Sequence, residues 1–208
     1  MVGVSARFVM ATATLVLPST AVGSRTMIQL REPDHNFNMN RAALLRYLRQ
    51  RFALNWHGAH GVAHWVRVRK NGLVLARATG ANPTVVELFA FFHDSCRIDE
   101  YDDPDHGMRG AELAMKLRGS LFDASDAEME LLVEACTGHS EGYMDAAVTV
   151  QTCWDADRLD LGRVRIQPNP DYLCTAAAKD PAILEWAYQR SVAWSERRQA
   201  HPMSYPRR

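Results

Sequence analysis

The segment Val85-Val86-Glu87-Leu88-Phe89-Ala90-Phe91-Phe92 is apolar at all but one position and stops on adjacent His93 and Asp94. A helical run that is apolar nearly all round belongs inside a protein. An imidazole and a carboxylate directly behind it are expensive to bury unless something pairs with them. The fold therefore has to deliver partners for His93 and Asp94 from elsewhere in the chain.

The rest of the pattern is helical almost to the end. "AALLRYLRQRFAL" puts Leu44, Leu45, Leu48 and Phe52 on one face. "GAHGVAHWVRVRKNGLVLARATG" continues as a long helix or two that closes near Gly80, with His60 and His64 on a shared face. "ANPTVVELFAFFHD" opens with Asn82 as N-cap and Pro83 in the first helical position. Further helices are predicted in "DDPDHGMRGAELAMKLRG", in "SDAEMELLVEACTGH" with its Ser125/Glu128 capping-box spacing, in "DAAVTVQTCWDADRLDLG" ending near Gly162, and in "DPAILEWAYQRSVAWSERR". No segment alternates as a strand does. The expectation is a single all-α domain of about six to eight helices over residues 40–200, behind a partly disordered leader, 1–39, and ahead of a basic tail, 201–208.

Composition narrows the function classes. Lys+Arg and Asp+Glu stand at 24 each in 208 residues, so the global basic field that marks nucleic-acid binding is missing. No run approaches the roughly 20 apolar residues of a membrane span. The leader loosely imitates a signal peptide, but Pro18 and scattered threonines break its apolar run; it reads as a disordered leader or as sequence upstream of a start near Met27. Cys96, Cys136, Cys153 and Cys174 show no CxxC spacing and read as reduced thiols of a cytoplasmic protein.

Most of the eight histidines fall at ends or faces of predicted helices. The pair His60/His64 has HxxxH spacing, but Gly61 stands where a zinc protease needs glutamate. His64, His93, Asp94, His106, His139 and Asp157 form a better set: imidazole nitrogen and carboxylate oxygen without thiolate suit a divalent Mn, Fe, Zn, Mg or Co ion better than a structural zinc cage.

The order "HWVRV" at His64, "FFHDS" at His93-Asp94 and "DADRLD" around Asp157 resembles the HD superfamily of metal-dependent phosphohydrolases, over roughly residues 57 to 165. The resemblance implies an all-α fold, with His64, His93, Asp94 and Asp157 holding one divalent metal. It also implies that His106 in "HGMRGA" and His139 in "TGH" correspond to the additional histidines of binuclear members. They would hold a second metal bridged by Asp94, or else line the pocket and contact substrate phosphate. Asp94, His106 and His139 are then the residues closest to catalysis.

Arg97, three residues after Asp94, and Arg109, three after His106, are candidates to bind substrate phosphate. Arg67 and Arg158 sit inside the metal motifs and are expected to orient ligands through ion pairs. The five tryptophans read as core, and the acidic loop around Asp99, Glu100 and Asp102 as a solvated segment. The implied activity is hydrolysis of a small phosphorylated compound, with nucleotides as a leading class. The alternatives are a di-iron oxygenase built on the same ligands and a ligand-binding module without catalysis.

Overall fold

In the computed structural model, residues 38–200 are described. The predicted leader up to residue 37, the tail from 201 onward, His35 and His201 lie outside them. Among the described residues there are seven α-helices, two short 3-10 turns and no strand beyond isolated bridges. The helices are α1 (Arg41–Arg51), α2 (Val62–Thr79), α3 (Pro83–Phe92), α4 (His106–Leu117), α5 (Asp126–Gly138), α6 (Val148–Arg158) and α7 (Pro181–Ala200). None is long and apolar enough to cross a membrane.

The apolar run becomes α3, the central helix. Asn82 caps it by accepting from the Thr84 amide at 2.9 Å, and Pro83 supplies the first helical φ. Every residue from Val85 to Phe92 is buried. Helices α2, α4, α5 and α6 all pack on α3, so the segment is enclosed. Its own Phe89 and Phe92 share one core with Trp65, Trp154, Leu44 and Leu132. The capping box at Ser125 and Glu128 starts α5, and a left-handed Gly80 (φ 76°) ends α2.

One polar residue is locked inside α3. Glu87 is fully buried and accepts from Arg41 (2.6 and 2.8 Å) and Arg69 (2.6 Å). Burial pushes its carboxyl pKa up, but the hydrogen bonds and charges of the two arginines outweigh this and hold it below the ordinary 4.5. A pKa lowered by folding contributes stability above the unfolded value that is lost as the pH falls through the folded one. Glu87→Gln is therefore expected to lower stability at pH 7 by about 2 kcal/mol. The gap to wild type should close below pH 4.5. Urea midpoints across that range measure it, and a gap that does not depend on pH refutes the ion-pair account.

Three details depart from the expected pattern. The helix through "GAHGVAH" starts only at Val62, because Asn55 caps a turn over residues 55–61 by accepting from the His57 amide at 2.9 Å. His60 therefore lies in that turn rather than on a helix face with His64, and its ring pairs with Glu100 at 2.6 Å. The segment expected to run helically to Gly162 ends as α6 at Arg158, with a 3-10 turn over Leu161–Val164. Helix α7 buries the small stripe Ala187, Ser191 and Ser195 against that turn, while Ile183, Trp186 and Trp194 are only partly buried.

Candidate metal centre

Five helix ends meet at one place. His64 lies in the first turn of α2, His93 caps the C-terminus of α3 with Asp94 next to it, His106 opens α4, His139 caps α5, and Asp157 is in the last turn of α6. The four imidazoles and the Asp94 carboxylate are buried. Two groups able to hold a metal ion result: His64, His93 and Asp94, and Asp94, His106 and His139. The first has His64 Nε2 3.0 Å from His93 Nε2 and 3.5 Å from Asp94 Oδ2. In the second, His106 Nε2 is 2.9 Å from His139 Nε2 and 3.3 Å from Asp94 Oδ1. The two oxygens of Asp94 thus serve different groups. Asp157 joins the first, with Oδ1 3.2 Å from His64 Nε2 and 3.9 Å from His93 Nε2.

The histidines are oriented by what lies behind them. Each Nδ1 meets an oxygen: the Asp160 carboxylate for His64 (2.7 Å), the Phe89 carbonyl for His93 (3.0 Å), the Cys136 carbonyl for His139 (2.7 Å) and the Asp103 carbonyl for His106. An oxygen of this kind only accepts, so every Nδ1 carries the proton and donates it. In a neutral ring, Nε2 is then a bare lone pair aimed inward.

Two lone pairs about 3 Å apart repel, and two N–H groups would repel as well. Each pair therefore needs either a second proton on one ring, toward which, despite burial, Asp94 pushes His139, or a cation between the rings. A cation shared between them fits, since a metal sits about 2.1 Å from imidazole nitrogen. Burial also holds the His93 pKa down to about 3, against the raising influence of Asp94, so this ring is neutral as a ligand must be. Burial works against ionising Asp94 too, yet the surrounding imidazoles, His93 first, outweigh this and hold its carboxyl well below the usual carboxylate range. The Oδ1 of Asp157 is buried with no hydrogen-bond partner, which again leaves an anionic oxygen facing the cluster.

Helix α4 reaches this position because two of its residues have no side chain. A Cβ on Gly107 would collide with the Cys136 carbonyl, and one on Gly110 with that of Phe92. Both carbonyls belong to the last turns of neighbouring helices that carry His139 and His93. Helix propensity alone predicts that Gly110→Ala gains about 1 kcal/mol. Overpacking against backbone costs about 1–3 kcal/mol, so a net loss is expected, with weaker metal binding in the group containing His106. Denaturation and metal titration measure both, and an unchanged or raised midpoint contradicts the close approach.

The arginines divide by role. Arg97 Nη1 stands 3.1 Å from His106 Nε2 and 3.5 Å from Asp94 Oδ1, over the second group. Arg109 makes its hydrogen bonds with Asp103 (2.7 Å) and the Cys96 carbonyl (3.1 Å), bracing the loop ahead of α4, and makes none to the cluster. Arg67 grips Asp160 with Nε at 2.6 Å and Nη2 at 2.9 Å. Arg158 bonds the carbonyls of Tyr143 and Tyr172 in place of the expected ion pair. In the acidic loop, Asp99 accepts from the amides of Tyr101 and Asp102, while Glu100 is held by His60. Asp155 accepts from the amides of Cys174 and Thr175 and is occupied with shaping that turn.

The sequence reasoning missed Asp160, which sets His64. Burial raises its carboxyl pKa, but the His64 and Arg67 contacts more than offset this and the net direction is down. Its signal was present as the aspartate three residues after Asp157 in "ADRLD". No protein-family model, no curated protein and no solved structure matches the chain.

Proposed function

We propose that this protein is a divalent-metal-dependent phosphohydrolase of the HD type, acting on a small phosphorylated compound. One observation carries the metal: four buried imidazoles, each locked to donate from Nδ1, aim Nε2 in close pairs at a shared carboxylate. The resemblance of "HWVRV", "FFHDS" and "DADRLD" to that superfamily carries the reaction class.

When bound, a divalent ion supplies Lewis acidity toward a phosphoryl oxygen and makes water acidic near neutral pH. His64, His93, Asp94 and Asp157 would hold it. The protein's own part is orientation and charge. Asp160, Phe89 and Cys136 fix the ring directions, and the wall of Phe89 and Phe92 keeps water from behind the ligands. Arg97 places a guanidinium at the second group, where it can neutralise the equatorial oxygens of a phosphoryl group. A second ion at His106 and His139 would compete with Arg97 for His106.

The two-sided use of Asp94 also supports a second reading, an oxygenase with two irons. Metal analysis combined with a screen of nucleotides and phosphate esters separates them. Phosphate release that stops with EDTA and returns with added metal is expected. Two irons per chain, oxygen consumption and no phosphate release would overturn the hydrolase.

A further inference from the structure

One buried cation is left unused by the site described so far. Arg163 lies on the 3-10 turn Leu161–Val164 that follows α6. Its side chain is 8% exposed, and its Nε and Nη1 are buried with no hydrogen-bond partner. The remaining nitrogen, Nη2, is 3.8 Å from Asp157 Oδ1, beyond hydrogen-bonding distance. A desolvated guanidinium with two unmatched donor nitrogens weakens a fold, since buried donors without acceptors are costly.

The same residue lines a cavity of about 470 Å³ together with Val164, Arg165, Trp194, Ser195 and Arg198. Three arginines and no acidic residue line this cavity, with the unmatched Arg163 nitrogens beneath its surface. Glu100, which is near enough to feel the Arg198 charge, is already held by His60. Arg165 keeps a left-handed backbone (φ 67°), a conformation in which glycine would sit with less strain. The cavity volume suits a small compound, and its charge suits an anion. Through Arg163 it adjoins the candidate ligand Asp157.

We propose that Arg163, with Arg165 and Arg198 on the cavity wall, is an anion subsite of the metal centre. It receives a phosphate group of a small phosphorylated compound. The choice of phosphate rests on the hydrolase reading; the unmatched arginine and the basic cavity do not.

The test is titration of inorganic phosphate into the full-length, metal-loaded protein at fixed ionic strength, with calorimetry and thermal melting as readouts. Wild type is expected to bind phosphate and to melt higher in its presence. Arg163→Gln should weaken phosphate binding by about ten-fold or more, the effect of losing charge-assisted hydrogen bonds. Its metal content should be unchanged, and in phosphate-free buffer it should melt no lower than wild type. A purely structural arginine would give the opposite melting result. Arg165→Gly is expected to weaken phosphate binding while melting at least as high as wild type.

Undiminished phosphate binding by Arg163→Gln, a lower melting temperature for that variant, or no phosphate binding by wild type at millimolar concentration would overturn the subsite. Phosphate binding with the expected signature but no ester turnover would uphold the subsite and sink the hydrolase.

Discussion

Asp94→Asn is expected to strip the protein of bound metal altogether, not merely of one ion. The Asp94 carboxylate places Oδ2 3.5 Å from His64 Nε2 and Oδ1 3.3 Å from His106 Nε2, so one side chain is common to both candidate groups. Asparagine keeps the shape but removes the charge and replaces one oxygen with a donor, which turns an N–H toward either one imidazole pair or the other. The His106–His139 pair then has no anionic partner, and the His64–His93 pair keeps only Asp157. Ligand replacement should exceed the 10–100-fold loss of affinity typical of residues that only orient ligands. Turnover should fall by about 10³-fold or more, roughly 4 kcal/mol of barrier.

A thermal readout is independent of activity. A metal at about 100 times its dissociation constant stabilises the folded state by roughly 2.7 kcal/mol. Wild type should therefore melt higher on adding metal, and Asp94→Asn should not. His106→Ala, which touches only the second group, should retain the ion of the first. Metal retention and an unchanged metal-induced shift in Asp94→Asn would remove the central carboxylate from the site.

What could be read in advance follows the range over which each interaction acts. The α3 cap at Asn82-Pro83, the capping box at Ser125 and the glycine stop at Gly80 are local chemistry, and all three are present. The convergence of His64, His93, Asp94, His106 and His139 was legible only through resemblance, because the members lie up to 75 residues apart (139 − 64).

The acceptors behind the histidines were out of reach for a different reason. Phe89, Asp103 and Cys136 act through backbone carbonyls, which any residue supplies, so side-chain identity carries no trace of them. Arg109 looked like a phosphate ligand from its spacing, but spacing cannot reveal that Asp103 is nearer. Arg163 carried no signal at all, since what distinguishes it is that its Nε and Nη1 find no hydrogen-bond acceptor in three dimensions.

Asp160→Asn is expected to damage both stability and metal binding, and the two effects have separable causes. Asp160 is almost fully buried and serves three donors: Arg67 Nε at 2.6 Å, Arg67 Nη2 at 2.9 Å and His64 Nδ1 at 2.7 Å. An asparagine has one accepting oxygen and one NH₂, so at least one donor meets another donor. Arg67, itself buried and stacked 4.5 Å over Trp194, is left without its counter-charge.

Breaking a buried pair from one side costs about 3–5 kcal/mol, mostly because a charge stays behind unpaired. Chemical denaturation should show this as a lower midpoint with an unchanged slope. Adding Arg67→Met to the variant removes the stranded charge, so the double variant should recover part of the loss instead of summing two losses. The metal effect should not recover, because His64 has still lost the acceptor that fixes its tautomer; affinity in the first group should stay down by about 10–100-fold. If the double variant regained full metal affinity, Asp160 would be only the partner of Arg67 and would have no hold on His64.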